Sequence, residues 1–442
     1  MNHGGKKTVV LGLGHSGEAA ASLLIEQGAV VTVCESSESP AIREKAEALR
    51  SRGICVLLGD EAERDPAIYD FAVLSPGIDP VVPLVQNVFA KNIPVIGELE
   101  LAFQQCAAPV AAITGTNGKT TTTELTTRIL QGCGLRAMAS GNIGLPFSSA
   151  VRRSREMDVM VLEVSSFQLE TIQSFRPKVA AWLNLSANHL DRYPGMEEYR
   201  AAKLRLFENQ TAEDFAVVNA INDLPPIKAQ AITFSASTDK ADFTLRDSVI
   251  YFRSRRILEQ SETRLPGPHN AENIMAALGI GHALGMEIDA LAAAIADYTP
   301  PAHRCEFVRN LDGVRWINDS KATNLDAMAQ ALRSASGPVV LIAGGKDKGF
   351  EFDDISELVE SKARAAVLIG EMRQRIAGSW KNTECHCVDS LEEAVAVAQK
   401  LARPGDIALF SPGTSSFDMF RNYGERGNLF KNFVQQLQTT TP

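Results

Sequence analysis

Three times along this 442-residue chain, a short β-rich run enters a polar loop, twice glycine-rich, and then a helically patterned stretch. That recurrence limits the fold more than any other feature. Thr8 to Leu13 leads into Gly12, Gly14 and Gly17, a helical stretch from Glu18 to Gln27 and a second strand from Val30 to Cys34. Pro109 to Thr114 enters Gly115-Thr116-Asn117-Gly118-Lys119-Thr120 and a helical stretch from Thr121 to Gln131, closed by Gly132. The third beginning is Val314 to Asn318, followed by strands at Pro338 to Ala343, Ala365 to Ile369 and Ile407 to Phe410. Strands alternating with helices build mainly parallel sheets, because each crossover helix returns the chain to the edge it left. At roughly 150 residues per domain the length suits three α/β domains. The expected divisions are 1–98, 99–302 and 303–442, the last cut falling at Pro300-Pro301.

Composition narrows the ligands. Acidic residues outnumber basic ones by 53 to 44, a formal charge of −9, so no global field draws in nucleic acid or an anionic membrane. Anionic ligands must then be held by local cations and backbone amides. No apolar run reaches the roughly 18 residues of a membrane span, and Gly12, His15 and Glu18 interrupt the first apolar stretch too early for a signal-peptide core. The seven cysteines are scattered, and Cys385 and Cys387 around His386 lack a second pair to complete a zinc site. The expectation is a cytoplasmic protein with reduced thiols.

In open parallel sheets ligands gather beyond the carboxyl ends of the strands, where the unusual residues of this chain recur. The strongest motif is Gly115-Thr116-Asn117-Gly118-Lys119-Thr120. Such a loop turns backbone N–H groups toward a phosphate, the helix N-terminus adds partial positive charge, the lysine bridges phosphates and the threonine hydroxyl ligates Mg²⁺. Ile113 stands where the usual P-loop has its first glycine, making this a shortened variant. Gly12-Leu13-Gly14-His15-Ser16-Gly17, with Glu35 ending the next strand, matches a dinucleotide fingerprint. Alone it fits a nucleotide site or a purely structural turn, and does not separate NAD from another nucleotide. Glu163 closes an apolar strand and suits Mg²⁺ beside Thr120. His189 taken alone is as well read as a histidine satisfied within the fold, and Lys203 as a solvated helix lysine. Asp319-Ser320-Lys321-Ala322-Thr323-Asn324 reads in part as a helix cap offered by Asp319 or Ser320. With Arg304 and the loops Gly344 to Lys348 and Ser411 to Ser416, it collects cations and hydroxyls suited to an anionic substrate.

These motifs, in this order and across the whole length, resemble the Mur ligase family. Its marks here are GTNGKTT at Gly115 to Thr121, SGNIG at Ser140 to Gly144, EVSSFQL at Glu163 to Leu169, NHLD at Asn188 to Asp191, YRAAK at Tyr199 to Lys203, His269-Asn270 with Asn273, His303-Arg304, and NDSKATN at Asn318 to Asn324. The resemblance implies a Rossmann-like N-terminal domain for a UDP-substrate, a central P-loop ATPase-like domain and a C-terminal Rossmann-like domain for the amino acid. It implies a monomeric ATP-dependent ligase, with no nucleic-acid or membrane partner, closest to the member that adds D-glutamate to UDP-N-acetylmuramoyl-L-alanine through an acyl phosphate. Gly115, Thr116, Asn117, Gly118, Lys119, Thr120 and Thr121 would take the ATP phosphates, with Asn273, Arg304, Asp319 and Lys321 on the rest of the nucleotide. Two Mg²⁺ ions are implied, one on Thr120 and Glu163, the other on His189 and Lys203. In that role Lys203 is an N-carboxylated side chain: a neutral amine and CO₂ yield an anionic oxygen donor. Lys119, Glu163, His189 and Lys203 form the implied catalytic set. Ser16, Glu35, Ser75, Pro76, Gly77, Asn142 and His189 would line the UDP-substrate, and Thr323, Lys348, Ser416 and Tyr423 the D-glutamate.

Three positions depart from the family pattern. Glu35 and Ser37 stand where some members carry Asp and Arg, and Tyr423 stands where Phe also occurs. Other readings are a Mur ligase adding a diamino acid to a longer peptide, an NAD-dependent oxidoreductase built on the first glycine loop, and a nucleotide-sugar sensor using ATP hydrolysis as a switch. The oxidoreductase leaves the second loop unexplained, and folylpolyglutamate synthases lack this front domain.

Overall fold

The computed structural model describes residues 3–439 apart from 143, 189–191, 297, 299–301, 348 and 349, with the side chains of 41 and 326 also outside the description. The chain forms two compact units, one of 1–185, 195–263 and 271–298, the other of 186–194, 264–270 and 299–442. Three sheets account for the three expected beginnings.

In the first sheet β1 (Lys7–Leu11), β2 (Val30–Glu35), β3 (Cys55–Leu58), β4 (Phe71–Leu74) and β5 (Val95–Gly97) lie in the order β3-β2-β1-β4-β5, all parallel. Leu11 pairs with Cys34 on one side and Leu74 on the other. That register brings Gly12, Glu35 and Ser75 to one edge, where the strand order reverses.

The second sheet, in the same unit, has nine strands: β6 (Val110–Thr114), β7 (Ala137–Gly141), β8 (Val159–Glu163), β9 (Val179–Trp182), β10 (Phe215–Asn219), β11 (Gln230–Ser235), β12 (Phe243–Arg246), β13 (Val249–Phe252) and β14 (Arg255–Glu259). Their order is β14-β13-β12-β11-β10-β9-β6-β8-β7, with β12 to β14 an antiparallel meander on a parallel sheet. Every residue of β6 and β8 is buried. Strands covered by helices on both faces read as continuous apolar runs rather than alternating ones, which is why they were visible in the sequence. The helix Lys119–Gly132 starts two residues earlier than its pattern suggests. Between the first two sheets the helix Glu98–Phe103 is anchored by Glu100, whose carboxylate accepts from the N–H groups of Gln173 (2.9 Å), Ser174 (3.0 Å) and Phe175 (3.0 Å). Burial pushes this carboxyl up, but the donors from Gln173, Ser174 and Gln104 outweigh it and hold the group below its usual range.

The second unit holds the third sheet: β15 (Glu306–Leu311), β16 (Val314–Asn318), β17 (Val339–Gly344), β18 (Ala363–Ile369), β19 (Cys385–Cys387) and β20 (Ile407–Phe410), ordered β15-β16-β20-β17-β18-β19. It is parallel except for the β15–β16 hairpin. Phe410 lies opposite both Asn318 and Ile342, so the loops beginning at Asp319, Ser411 and the end of β17 open on one edge. One expectation is corrected here. The helix Leu325–Ser334 is capped by Asn324, whose side chain accepts from Ala327 N–H at 2.7 Å. Asp319 and Ser320 lie too far upstream and have other partners. Pro300-Pro301 falls outside the described residues. Among the described residues no helix is long and apolar enough to cross a membrane.

Candidate active site

The central loop leaves β6 at Gly115, whose φ of +156° suits a residue without a Cβ. Gly118, at φ +82°, is the N-cap of the helix, and a Cβ there would collide with Asn273 Oδ1. Asn273 is buried and accepts from Thr122 Oγ1 at 3.2 Å, so Thr116, Asn117, Gly118, Thr121 and Asn273 are gathered around one helix start. Lys119 Nζ donates to the carbonyls of Gly115 (3.0 Å) and Thr116 (2.9 Å).

Beside the loop, Thr120 Oγ1 donates to Glu163 Oε2 at 2.7 Å and Asn142 Nδ2 to Glu163 Oε1 at 2.8 Å. The Glu163 carboxylate is only 3% exposed, and these neutral groups lie on both of its oxygens. Register explains the meeting: Glu163 ends β8, directly opposite Ile113 of β6, and Gly141 ends β7 opposite Glu163. A buried carboxylate next to a threonine hydroxyl is a hard-oxygen donor set of the kind Mg²⁺ takes.

Lys203 overturns the solvated-lysine reading. It is 1% exposed, its Nζ donates to Gly115 O (3.0 Å) and Thr114 Oγ1 (3.4 Å), and it lies 4.7 Å from the centroid of the Tyr199 ring. Burial, with Lys119 nearby, pushes the amine well below the ordinary lysine range, while Glu163 opposes the shift. Tyr199 is buried too, and its hydroxyl lies 3.4 Å from Thr116 Oγ1. His189, expected next to Lys203, lies outside the described residues.

In the first loop Gly12 has φ +100°, and a Cβ on Gly17 would collide with the Gly12 carbonyl oxygen. Glu35 is turned back onto this loop. Its Oε2 accepts from Leu13 N–H (2.9 Å) and its Oε1 from Ser37 N–H (2.9 Å). Ser75 is buried with no hydrogen-bond partner for its hydroxyl among the described residues, and it packs where Gly12 and Gly17 would carry a Cβ. Ser16, Pro76 and Gly77 flank the same edge, half-buried to exposed, and Asn142 is exposed at the end of β7.

In the second unit the loops after β16, β17 and β20 are knitted together. Gly344 N–H donates to Pro412 O (2.9 Å), Lys346 N–H to Ser415 O (2.9 Å), and Gly413 N–H to Ala322 O (2.9 Å). Asp319 accepts from Cys305 N–H (3.1 Å) and Ser411 Oγ (2.8 Å), and burial raises its pKa to about 6. Arg304 is half-buried with no partner for its Nε among the described residues, Thr323 is half-buried, and Ser416 is buried. Tyr423 starts the helix Tyr423–Gln436; Lys321 Nζ stands 5.2 Å from its ring centroid, and His303 meets it edge-on at 6.3 Å. Lys348 lies outside the described residues.

Two residues absent from the expected set organise the site loops, Arg426 those of the second unit and Asn184 the central loop of the first. Arg426 is fully buried and donates to Ser320 O (2.8 Å), Ser320 Oγ (3.1 Å) and Thr414 O (3.3 Å), and burial lowers its pKa to about 10. Asn184, just after β9, accepts from the N–H groups of Thr116 and Asn117 through Oδ1. Asn184 stands among the polar residues that recur at the strand ends, though without an assigned role, and its strand lies beside β6. Nothing in the sequence around Arg426 marks it as buried.

Known proteins align with this arrangement along its whole length. Three family models match: a Mur ligase MurD-like N-terminal domain over residues 6–97, a Mur ligase middle domain over 113–281, and a Mur ligase glutamate ligase domain over 303–413. The UDP-N-acetylmuramoylalanine–D-glutamate ligase of Koribacter versatilis is 40% identical, covering 99% of each chain, and that of Geotalea uraniireducens is 41% identical, covering 98% of each. Among solved structures, the UDP-N-acetylmuramate-alanine ligase MurC of Thermotoga maritima superposes with a TM-score of 0.63 at 19% identity, over 97% of this chain and 99% of that one. MurF of Thermotoga maritima, solved with ADP, reaches 0.63 at 15% identity, over 98% of this chain and 96% of that one. Near-full-length identity of about 40%, carried on the three expected sheets, is decisive: the chain belongs to the Mur ligase family.

Proposed function

We propose that this chain is an ATP-dependent amide-bond-forming ligase that joins D-glutamate to UDP-N-acetylmuramoyl-L-alanine, releasing ADP and phosphate, in cytoplasmic peptidoglycan precursor synthesis. The observation that carries this reading is the end-to-end identity of 40–41% with relatives bearing that activity in their names. The domains divide near residues 98 and 302, and the chain works as a monomer.

A carboxylate oxygen of the UDP-substrate attacks the γ-phosphorus of ATP and ADP leaves, giving an acyl phosphate. The amine of D-glutamate then attacks the acyl carbon, gives up a proton, and phosphate leaves. Such chemistry needs positioning and charge neutralisation rather than a protein nucleophile. Residues 115–121 hold the phosphates, and Lys119 leaves the Gly115 and Thr116 carbonyls for the nucleotide. Asn273, Arg304, Asp319 and Lys321 serve the rest of ATP. Ser16, Glu35, Ser75, Pro76, Gly77, Asn142 and His189 line the UDP-substrate; Thr323, Lys348, Ser416 and Tyr423 line D-glutamate.

Thr120 and Glu163 fit one Mg²⁺ by the chemistry of their oxygens, and His189 with carboxylated Lys203 fits a second. The buried amine of Lys203, pushed toward its neutral form, is the state that reacts with CO₂. A metal held by these residues would supply neutralisation of phosphate charge. The test is phosphate release with UDP-N-acetylmuramoyl-L-alanine, ATP and Mg²⁺, offering D-glutamate, L-glutamate, L-lysine or diaminopimelate. Turnover is expected with D-glutamate alone, and activity confined to a diamino acid would overturn the acceptor assignment.

A further inference from the structure

The structure assigns Asn184 a positioning role: its amide fork holds the phosphate loop in its binding shape. We infer this from both ends of one side chain. Oδ1 accepts from Thr116 N–H at 3.1 Å and from Asn117 N–H at 2.9 Å, while Nδ2 donates to Asn117 O at 3.1 Å. The Asn184 carbonyl also accepts from Thr116 N–H at 3.1 Å. Three polar groups of the loop are thus pinned by one residue of the neighbouring strand end. Leu183, just before it, packs where Gly115 would carry a Cβ.

The consequence concerns charge as well as shape. The Thr116 and Asn117 N–H groups point to Asn184, which fixes the turn of the loop that carries the phosphate-binding residues. A neutral amide is the side chain that suits the place. It offers an acceptor and a donor on one rigid plane and adds no negative charge beneath a polyphosphate. Aspartate would keep the acceptor but set an anionic oxygen against the Asn117 carbonyl, and alanine would remove all three side-chain contacts while keeping the backbone bond to Thr116 N–H.

This role rests on the ATP-binding reading of the loop, and the experiment separates the two. Binding of Mg·ADP and of UDP-N-acetylmuramoyl-L-alanine is measured by calorimetry, alongside KM for ATP and kcat, for the full chain and for Asn184→Ala and Asn184→Asp. The lost side-chain hydrogen bonds in Asn184→Ala, and the anionic oxygen set against the Asn117 carbonyl in Asn184→Asp, predict Mg·ADP binding weaker by about tenfold or more in both variants. KM for ATP rises in parallel, while kcat and binding of the UDP-substrate move by less than about threefold. Aspartate is expected to be at least as damaging as alanine although it preserves the acceptor, a result that a merely structural role would not produce. Wild-type nucleotide affinity in either variant would overturn the inference, as would equal weakening of both ligands together with a lowered Tm. If the unaltered chain itself fails to bind Mg·ADP, the ATP reading falls instead.

Discussion

The two glycine loops of the first unit occupy equivalent places, each between an inner strand with parallel neighbours on both sides and a helix, and each is braced by a side chain from the end of an adjacent strand. The braces differ in charge. Glu35, ending β2, sets a carboxylate on Leu13 N–H; Asn184, following β9, sets a neutral amide on Thr116 and Asn117 N–H. The helices differ in the same sense. His15–Glu26 has Glu18 in its first turn, whereas Lys119–Gly132 has no acid there and begins with a lysine. Two like charges 4 Å apart near a protein surface cost about 4 kcal/mol, so the first loop disfavours a phosphate at the Leu13 amide while the second invites one. A glycine pattern specifies backbone shape; the charge of the brace decides which ligand the shape serves. The acid of the first loop suits hydroxyl and N–H donors of a nucleoside, and the second loop suits a polyphosphate.

The largest predicted effect is confined to the second loop. Lys119→Ala is expected to lower phosphate release by about 10³-fold or more, the scale of removing a cation from a phosphoryl transition state. Binding of the UDP-substrate should stay close to that of the unaltered chain, and parallel loss of both would erase the distinction between the loops. Lys203→Ala, beneath Gly115, is expected to lose activity by about 10²-fold or more and to regain part of it with added acetate or formate, a carboxylate replacing the carbamate oxygens. Indifference to both the substitution and the carboxylate would reject the modified lysine.

The glycines sharpen the comparison further. Gly118→Ala meets Asn273 and carries a positive φ, so about tenfold weaker ATP binding is expected with the UDP-substrate untouched. Gly17→Ala meets the Gly12 carbonyl of its own loop, which predicts the mirror result. KM for the UDP-substrate should rise by several-fold to about tenfold, Tm should fall by a few degrees, and ATP binding should persist. Crossed effects, with each glycine damaging the other ligand, would break the assignment of one ligand to one loop.

How much of this could be read from residues alone follows from the physics of each element. The central strands were legible because burial on both faces leaves unbroken apolar runs ending in glycine. The meander β12 to β14 was not. Its turns use Asp247-Ser248 and Arg253-Ser254, all at positive φ without the glycine that usually marks such hairpins, and its strands carry Arg246, Arg255 and Arg256. Lys203 and Arg426 show the same blind spot in another form. Charged residues on helices are normally solvated, and only tertiary packing reveals that these two are buried. The Lys203 position came through family resemblance; Arg426, with no such mark, was missed. Asp319 and Ser320 were the expected caps by residue type, but the helix begins at Leu325 and it is Asn324 that caps it.

The smallest effect tests the charge of the brace directly. Glu35→Gln preserves length and keeps one oxygen as an acceptor for the loop. What it removes is the charge, together with the acceptor for either Leu13 or Ser37, since one oxygen becomes an N–H₂ group. A hydrogen bond to a charged group exceeds a neutral one by roughly 1 kcal/mol, which corresponds to about a three- to tenfold rise in KM for the UDP-substrate with KM for ATP unchanged. If Glu35→Gln leaves the UDP-substrate unaffected while Asn184→Asp weakens the nucleotide, charge matters only in the second loop, and the acid of the first is there to hold Leu13 and Ser37 in place. If both respond as expected, the two loops differ because their braces differ in sign, and exchanging a single charge is enough to spoil either one.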